Sequence, residues 1–105
     1  MNIIDLKHKA TRDLYGAITE VKANLNPHSD LYDTLMQILG NLEDINNTDT
    51  LIAMLTASYK QQGKDVGRVE ENVLSFYSIQ KNRIRGAFLS FLNHLEPEDW
   101  NGSST

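Results

Sequence analysis

The chain has 105 residues, of which 40% are hydrophobic and 23% are charged. This size and composition are typical of one globular domain with a packed core, and they exclude a disordered or fibrous chain. The absence of cysteine excludes disulfides, thiolate metal sites and a thiol nucleophile, and the formal net charge of −4 argues against a general attraction to nucleic acid.

The first residues carry charges that separate the apolar positions. Asp5, Lys7 and Lys9 interrupt the apolar residues, whereas a secretory signal needs an uninterrupted apolar stretch of roughly 7 to 15 residues. No later stretch approaches the roughly 18 apolar residues of a membrane-spanning helix. We therefore expect a cytoplasmic protein without a membrane span.

A first helix is predicted over about residues 3–25. Asn2 is the expected N-cap, and the helix ends at Asn26 because the residue before a proline, here Pro27, avoids the α region. The apolar residues follow one another at spacings of three or four, which places them on one face of the helix. They are Leu6, Ala10, Leu14, Ala17, Ile18, Val21 and Leu25. This face is expected to point to the core.

A second helix follows, with either Asn26 or Ser29 as its cap. Its apolar positions are Leu31, Leu35, Ile38, Leu42 and Ile45. They form the widest apolar face in the chain, so we expect this helix to lie centrally. The run of Asn, Thr and Asp at residues 46–50 predicts a turn. A third helix is then expected from Leu51 to Gly63, where glycine permits a left-handed cap.

The last apolar stripe runs from Val66 to Leu95 and is longer than a compact bundle of this size needs. Asp65 is its expected N-cap, and Pro97 forbids its continuation. The polar patch Ser78–Asn82 leaves two alternatives open, one helix of ~30 residues or two helices with a kink between them. We expect the continuous helix.

Together these elements predict an all-α protein, an antiparallel four-helix bundle over residues 1–96, with five helices if the last one breaks. Residues 97–105 are predicted to form a flexible acidic tail. Gly16, Gly40 and Gly86 lie inside predicted helices, where each costs about 1 kcal/mol relative to alanine. We therefore expect close helix packing at these three positions.

The last stripe also carries the strongest functional signal. Large aromatic side chains are enriched at protein interfaces, and this stripe is wide enough to serve two surfaces. We therefore predict a homodimer formed by the C-terminal helix. The predicted interface residues are Phe76, Tyr77, Ile84, Phe88, Phe91, Leu92 and Leu95.

The basic residues Lys81, Arg83 and Arg85 form a predicted polar contact patch. Two interpretations are open. The patch pairs with carboxylates of a protein partner, for which arginine is well suited, or it binds nucleic acid, with Tyr77 one turn away stacking on a base. Because a nucleic-acid binder is usually basic over a whole face, we expect a protein partner of unknown identity and no nucleic acid.

No arrangement of residues predicts catalysis. The chain has no Glu-x-x-His pair of the kind that holds two iron ions in helical bundles, no nucleophile motif and no glycine-rich phosphate loop. Asp30 and Asp33, three residues apart, keep open a metal-dependent helical enzyme as a third hypothesis. We expect no enzymatic activity, no cofactor and no bound metal.

The predicted function is a non-catalytic protein-interaction module that homodimerises through its C-terminal helix and binds a protein partner. Its size and helical layout are similar to those of bacteriocin immunity proteins, phage-encoded inhibitors and secretion chaperones, and no motif in the chain selects one of these families. The alternative is a small nucleic-acid-binding regulator that uses Lys81, Arg83 and Arg85.

Overall fold

The protein is all-helical in the part of the chain that its computed structural model describes, residues 2–65 and 67–101. The helices are α1 (Ile3–Arg12), α2 (Leu14–Asn24), α3 (Asp30–Gln61), α4 (Gly67–Asn93) and a short 3-10 helix (Pro97–Asp99). The predicted all-α class is thus confirmed, although the helix boundaries differ from the prediction at two places. Val66, residues 102–105 of the predicted tail and the side chains at 68–70 lie outside the described part.

The first predicted helix is in fact two helices, because Asp13 interrupts it. The Asp13 N–H donates to the Lys9 carbonyl at 2.6 Å and ends α1. The Asp13 carboxylate accepts from the Gly16 N–H at 2.9 Å and caps α2. Ala10 and Leu14 are buried on either side of this joint. The apolar spacing therefore continues across the joint and carries no sign of it.

α3 is a single helix of 32 residues where the sequence predicts two helices and a turn. Residues 46–50, the predicted turn, are helical. The Thr48 hydroxyl donates to the Asp44 carbonyl at 2.8 Å, and the Thr50 hydroxyl donates to the Asn46 carbonyl at 3.0 Å. Threonine side chains often compete with the hydrogen bonds of a helix, but here they bond to carbonyls of the same helix. The run of turn-forming residues therefore does not end α3.

Four predicted helix ends are confirmed. The Asn2 side chain accepts a backbone N–H of α1 at 2.9 Å. The Ser29 hydroxyl accepts one of α3 at 3.1 Å, which settles the choice between Ser29 and Asn26. Gly63 follows α3 with a φ of +79°, the left-handed conformation that favours glycine. The Asp65 carboxylate accepts the first N–H of α4 at 3.1 Å.

α4 runs over 27 residues without a break, which confirms the continuous version of the last helix. The polar patch Ser78–Asn82 is helical throughout. Gln80, which the spacing places on the inward side, is half-buried. The patch is therefore a change in composition along one helix and not a boundary between two.

Gly40 and Gly86 do not mark close helix packing, contrary to the prediction. A Cβ atom added at either position would meet nothing within 4 Å. Gly16 differs, because its Cβ would lie 2.2 Å from a carboxylate oxygen of Asp13. The cap at the start of α2, as it stands here, therefore leaves room only for glycine at this position. At Gly40 and Gly86, by contrast, no steric clash excludes a larger residue.

The core lies at one end of the molecule. α1 contacts α2 and α4, α2 contacts α3, and α3 contacts α4. The core draws on both short helices, on the first half of α3 and on the second half of α4. Its buried members are Leu6, Ala10, Leu14, Ala17, Ile18, Val21, Leu25, Leu35, Ile38, Leu39, Leu42, Ile84, Phe88, Phe91 and Leu92.

Residues 97–101 dock onto the core and do not form the predicted flexible tail. The Asn26 N–H donates to the Asp99 carbonyl at 2.8 Å, which ties this segment to the end of α2. The Ser29 hydroxyl donates to the Asp99 carboxylate at 2.6 Å. Trp100 packs half-buried against the core. Burial of the indole ring and these hydrogen bonds outweigh the polar composition of the segment.

Candidate interaction surface

α3 and α4 extend well beyond the core. Within the described chain, the core takes no residue of α3 beyond Leu42, with Ile45 packed against it, and no residue of α4 before Ile84. We call residues 46–83 the distal hairpin and the rest of the molecule the core end. The hairpin makes the molecule elongated, 63 Å long and 21 by 16 Å across.

The distal hairpin exposes most of its large apolar side chains. Among its described side chains, Thr56 and Tyr77 are the two that are buried. Seven large apolar side chains are between 44% and 66% exposed. They are Leu51, Met54, Leu55, Tyr59, Leu74, Phe76 and Ile79. Large contiguous apolar patches are uncommon on the surface of monomeric proteins, so the placement of these side chains on the hairpin matters.

Five of these side chains share one side of the hairpin, which we call the apolar face. Leu51, Leu55 and Tyr59 follow one another at steps of four along α3 and lie on one stripe. A groove of about 440 Å³ runs between α3 and α4 on this side. Its lining includes Ile52, Leu55, Tyr59 and Val73.

The α4 part of the apolar face follows from helix geometry. Each residue turns the helix by 100°, so Phe76 and Ile79 are rotated from Val73 in the direction opposite to Leu74. Leu74 lines the groove on the other side of the hairpin. Phe76 and Ile79 therefore lie on the side of the apolar face and complete it.

The opposite side of the hairpin carries charge. One groove there is lined by Asp49, Ala53, Ala57, Lys60 and Leu74, among others. It continues toward the core end in a second groove whose lining includes Asp49, Leu74, Lys81 and Arg85. On the apolar side, by contrast, the charged lining residues are Lys64 and Asp65 at the tip, and the Lys64 ammonium lies 5.1 Å from the centre of the Tyr59 ring.

The structure divides the predicted interface residues between core and surface. Ile84, Phe88, Phe91 and Leu92 belong to the core of a single chain, Tyr77 is also buried, and Leu95 packs against the core. Residues of the core have little surface to offer a second chain, so the structure gives them a packing role within one protomer, and their role at an interface stays a prediction. Phe76, by contrast, is 55% exposed.

The physical reason lies in the width of the aromatic stripe. The Phe88 and Phe91 rings stack at 6.2 Å between centroids and fill the space between the helices of the core end. The stripe is wide because α4 packs against both α1 and α3, which accounts for its width within a single chain. Sequence reasoning missed the exposed residues Leu51, Leu55 and Tyr59, since it assigned them to a packed third helix.

The predicted basic patch is also divided. The Arg85 Nε donates to the Ala10 carbonyl at 3.0 Å, which joins α4 to the last turn of α1, and the Arg85 guanidinium also donates to the Asn82 side chain. Lys81 is half-buried beside the charged groove, and Arg83 is exposed. The three side chains therefore do not act as one patch, because Arg85 holds two helices together.

The described residues contain no group of three His, Asp or Glu side chains able to hold a metal ion. Asp30 and Asp33 lie in the first turn of α3, where a carboxylate is favoured by the helix dipole. Lys9 and Glu20 form an ion pair at 3.0 Å. Both side chains are more than a third exposed, so this pair is a minor structural contact between α1 and α2.

No family model matches the chain, and no curated protein or solved structure is significantly similar to it. Within the described part of the chain, no helix has the length and apolar character needed to cross a bilayer. The distal hairpin therefore stands as the candidate functional site on its own geometry.

Proposed function

We propose that the protein is a non-catalytic protein-interaction module, which homodimerises and binds a protein partner through the distal hairpin. The observation that carries the proposal is the set of seven large apolar side chains, 44% to 66% exposed, on one projecting pair of helices. Covering such side chains with protein removes apolar surface from water, which is the main driving force of association.

The fold explains why this surface is bare. At the core end, α1 and α2 pack against α3 and α4. The cyclic order of contacts, α1 with α2, α2 with α3, α3 with α4 and α4 with α1, supports an antiparallel four-helix bundle at this end. In the distal hairpin, as far as the described residues show, α3 and α4 pack against each other alone, so each helix buries one narrow stripe and leaves the rest of its apolar surface uncovered.

The proposed dimer interface thus moves from the second half of α4 to its first half and to the facing part of α3. Phe76 is the residue of the predicted interface that stays accessible, and it lies on the apolar face. The nucleic-acid alternative loses support, because Arg85 already bonds to the Ala10 carbonyl. Two remaining basic side chains, Lys81 and Arg83, give a weak, strongly salt-dependent attraction to phosphate.

Analytical ultracentrifugation of the wild type, of Phe76→Asp and of the control Ser78→Asp tests the proposal. Ser78 is exposed on the same helix and lines the charged groove on the opposite side of the hairpin. We expect the wild type and Ser78→Asp to exceed the monomer mass of 11.9 kDa, and Phe76→Asp to sediment as a folded monomer. Circular dichroism checks that all three are helical.

The protein-partner part is tested by capture from cells with the same three baits. A partner that binds the apolar face of the hairpin is retained by the wild type and by Ser78→Asp and lost with Phe76→Asp. Monomeric wild type at every concentration, together with identical capture by all three baits, contradicts the proposal.

A further inference from the structure

We infer that a second copy of this chain covers the apolar face of the distal hairpin, with the two hairpins side by side and the two core ends at opposite ends of the dimer. The inference rests on the proposed function, since it takes the hairpin to be a surface of association and names its occupant.

The first reason is the architecture of the hairpin. Two antiparallel helices form one layer, and two such layers packed face to face form a four-helix bundle, a stable and common arrangement. At the core end the chain supplies the second layer itself, as α1 and α2. No described residue of the same chain supplies a second layer to residues 46–83, and a second hairpin has the right length and number of helices to do so.

The second reason is the size of the apolar face. About half of each of its five large side chains is exposed. Since the two aromatic side chains bury roughly 150 to 250 Å² each in full and the three aliphatic ones less, the face offers on the order of 400 Å² per copy. Two copies together approach the roughly 1,000 to 1,200 Å² at which specific interfaces begin, before polar rim residues are counted.

The third reason is the distribution of charge. A two-fold interface brings the same surface patch of each copy together, so a charged patch repels its own copy. The charged side chains of the grooves, Asp49, Lys60 and Lys81, lie on the opposite side of the hairpin. The face offered to the second copy is apolar in its middle, which is the composition that self-association requires.

Charge also selects the orientation. If the two hairpins pointed the same way, Asp65 and Arg83 would each lie level with the same residue of the other copy. With the hairpins reversed, the tip of one meets the base of the other, and Asp65 lies toward Arg83 of the second copy. Reversal also separates the two core ends, which carry ten acidic and five basic side chains each.

Three measurements on the whole chain test the inference. Wild type is expected to sediment at twice 11.9 kDa. Phe76→Asp is expected to weaken the dimer by at least about 100-fold, because each dimer then buries two unpaired carboxylates. Small-angle scattering is expected to give a maximum dimension of about 100 Å, since two molecules of 63 Å then overlap over a hairpin of about 25 Å.

The absence of cysteine makes cross-linking a direct test of the face. Ser58 and Ala57 are adjacent and both exposed, but the Ser58 position lies next to the stripe of Leu51 and Leu55, whereas Ala57 lines the charged groove. With a flexible bismaleimide, Ser58→Cys is expected to form a covalent dimer at low protein concentration and Ala57→Cys is not.

The outcomes separate the two proposals. A dimer that cross-links at Ala57→Cys in place of Ser58→Cys, or one whose maximum dimension stays near 63 Å, overturns the inference and leaves the proposed function standing. A monomer that captures a different protein through Phe76 also overturns the inference, and it leaves only the partner-binding part of the proposed function standing. A monomer that captures nothing through the hairpin overturns both.

Discussion

Phe88 and Phe76 lie on the same helix, about three turns apart, yet Phe88 is fully buried and Phe76 is 55% exposed. Leu35 and Leu55 show the same contrast along α3, with exposures of 0% and 49%. Each pair has the same side chain in the same secondary structure. The difference between the core end and the distal hairpin therefore comes from what covers the helix, and not from the residues of the helix.

The two regions differ in charge as well. The distal hairpin carries five basic and four acidic side chains, and the rest of the chain carries five and ten. The net charge of the protein thus belongs to the core end. A surface of association is easier to build on the region that repels a second copy least.

The sharpest test of this comparison is a matched pair of substitutions. We expect Phe88→Ala to lower the free energy of unfolding by about 3 to 5 kcal/mol, the usual cost of truncating a buried phenylalanine. Phe76→Ala is expected to cost less than about 1 kcal/mol under dilute conditions, since its side chain is half in water already. Urea denaturation at two protein concentrations measures both. Equal losses would mean that the hairpin has a core of its own.

The aliphatic residues of α3 offer a second pair. Leu35→Ala and Ile38→Ala are each expected to destabilise by about 2 to 5 kcal/mol. Leu51→Ala, on the same helix but 56% exposed, is the control and is expected to lose less than about 1 kcal/mol. Thermal unfolding followed by circular dichroism compares the three variants. A small effect at both Leu35 and Ile38 contradicts their placement in the core.

A third prediction concerns the C-terminal segment, which extends the core end. Asp99→Ala is expected to cost about 1 to 3 kcal/mol, because the Ser29 hydroxyl and the Glu96 N–H both donate to its carboxylate. Glu98→Ala, an exposed acidic neighbour, is the matched control. Tryptophan fluorescence during urea denaturation reports on Trp100 directly. A change in stability no larger than that of the control argues against docking of residues 97–101.

The smallest expected effects lie at the glycines and have opposite signs. Gly40→Ala and Gly86→Ala are each expected to stabilise by about 0.5 to 1 kcal/mol, since a methyl group meets nothing there and alanine favours the helix. Gly16→Ala is expected to destabilise, because its Cβ displaces the Asp13 cap. Melting temperatures of the three variants check the signs. Destabilisation at Gly40 or Gly86 indicates a contact that only association supplies.

Much of the fold could be predicted from the apolar spacing, but its breaks could not. Periodicity identifies which residues face a core, and the buried residues of α1, α2 and the first half of α3 follow it. It does not register Asp13, because one residue in a non-helical conformation leaves the spacing nearly unchanged. The residue types at 46–50 predict a turn that is absent, because these side chains remain compatible with a helix when they bond to its carbonyls.

The candidate site was less predictable, for a related reason. A stripe such as Leu51, Leu55 and Tyr59 has the same spacing whether it is covered or bare. Because residues 46–50 continue the helix and form no turn, α3, like α4, is longer than α1 and α2 can cover. Exposure of the hairpin is thus a consequence of helix lengths, which depend on where helices end, and helix ends are the weakest inference from spacing.

Neither α3 nor α4 is interrupted where the core end passes into the distal hairpin. The hairpin is therefore a rigid extension without a hinge, and its reach is set by a count of residues. Inserting seven residues into each helix, close to two full turns, keeps the apolar face pointing nearly the same way and moves the tip outward by about 10 Å. The length of α3 and α4 therefore sets how far the apolar face lies from the core, and this distance can change in steps of two turns while every contact of the core stays as it is.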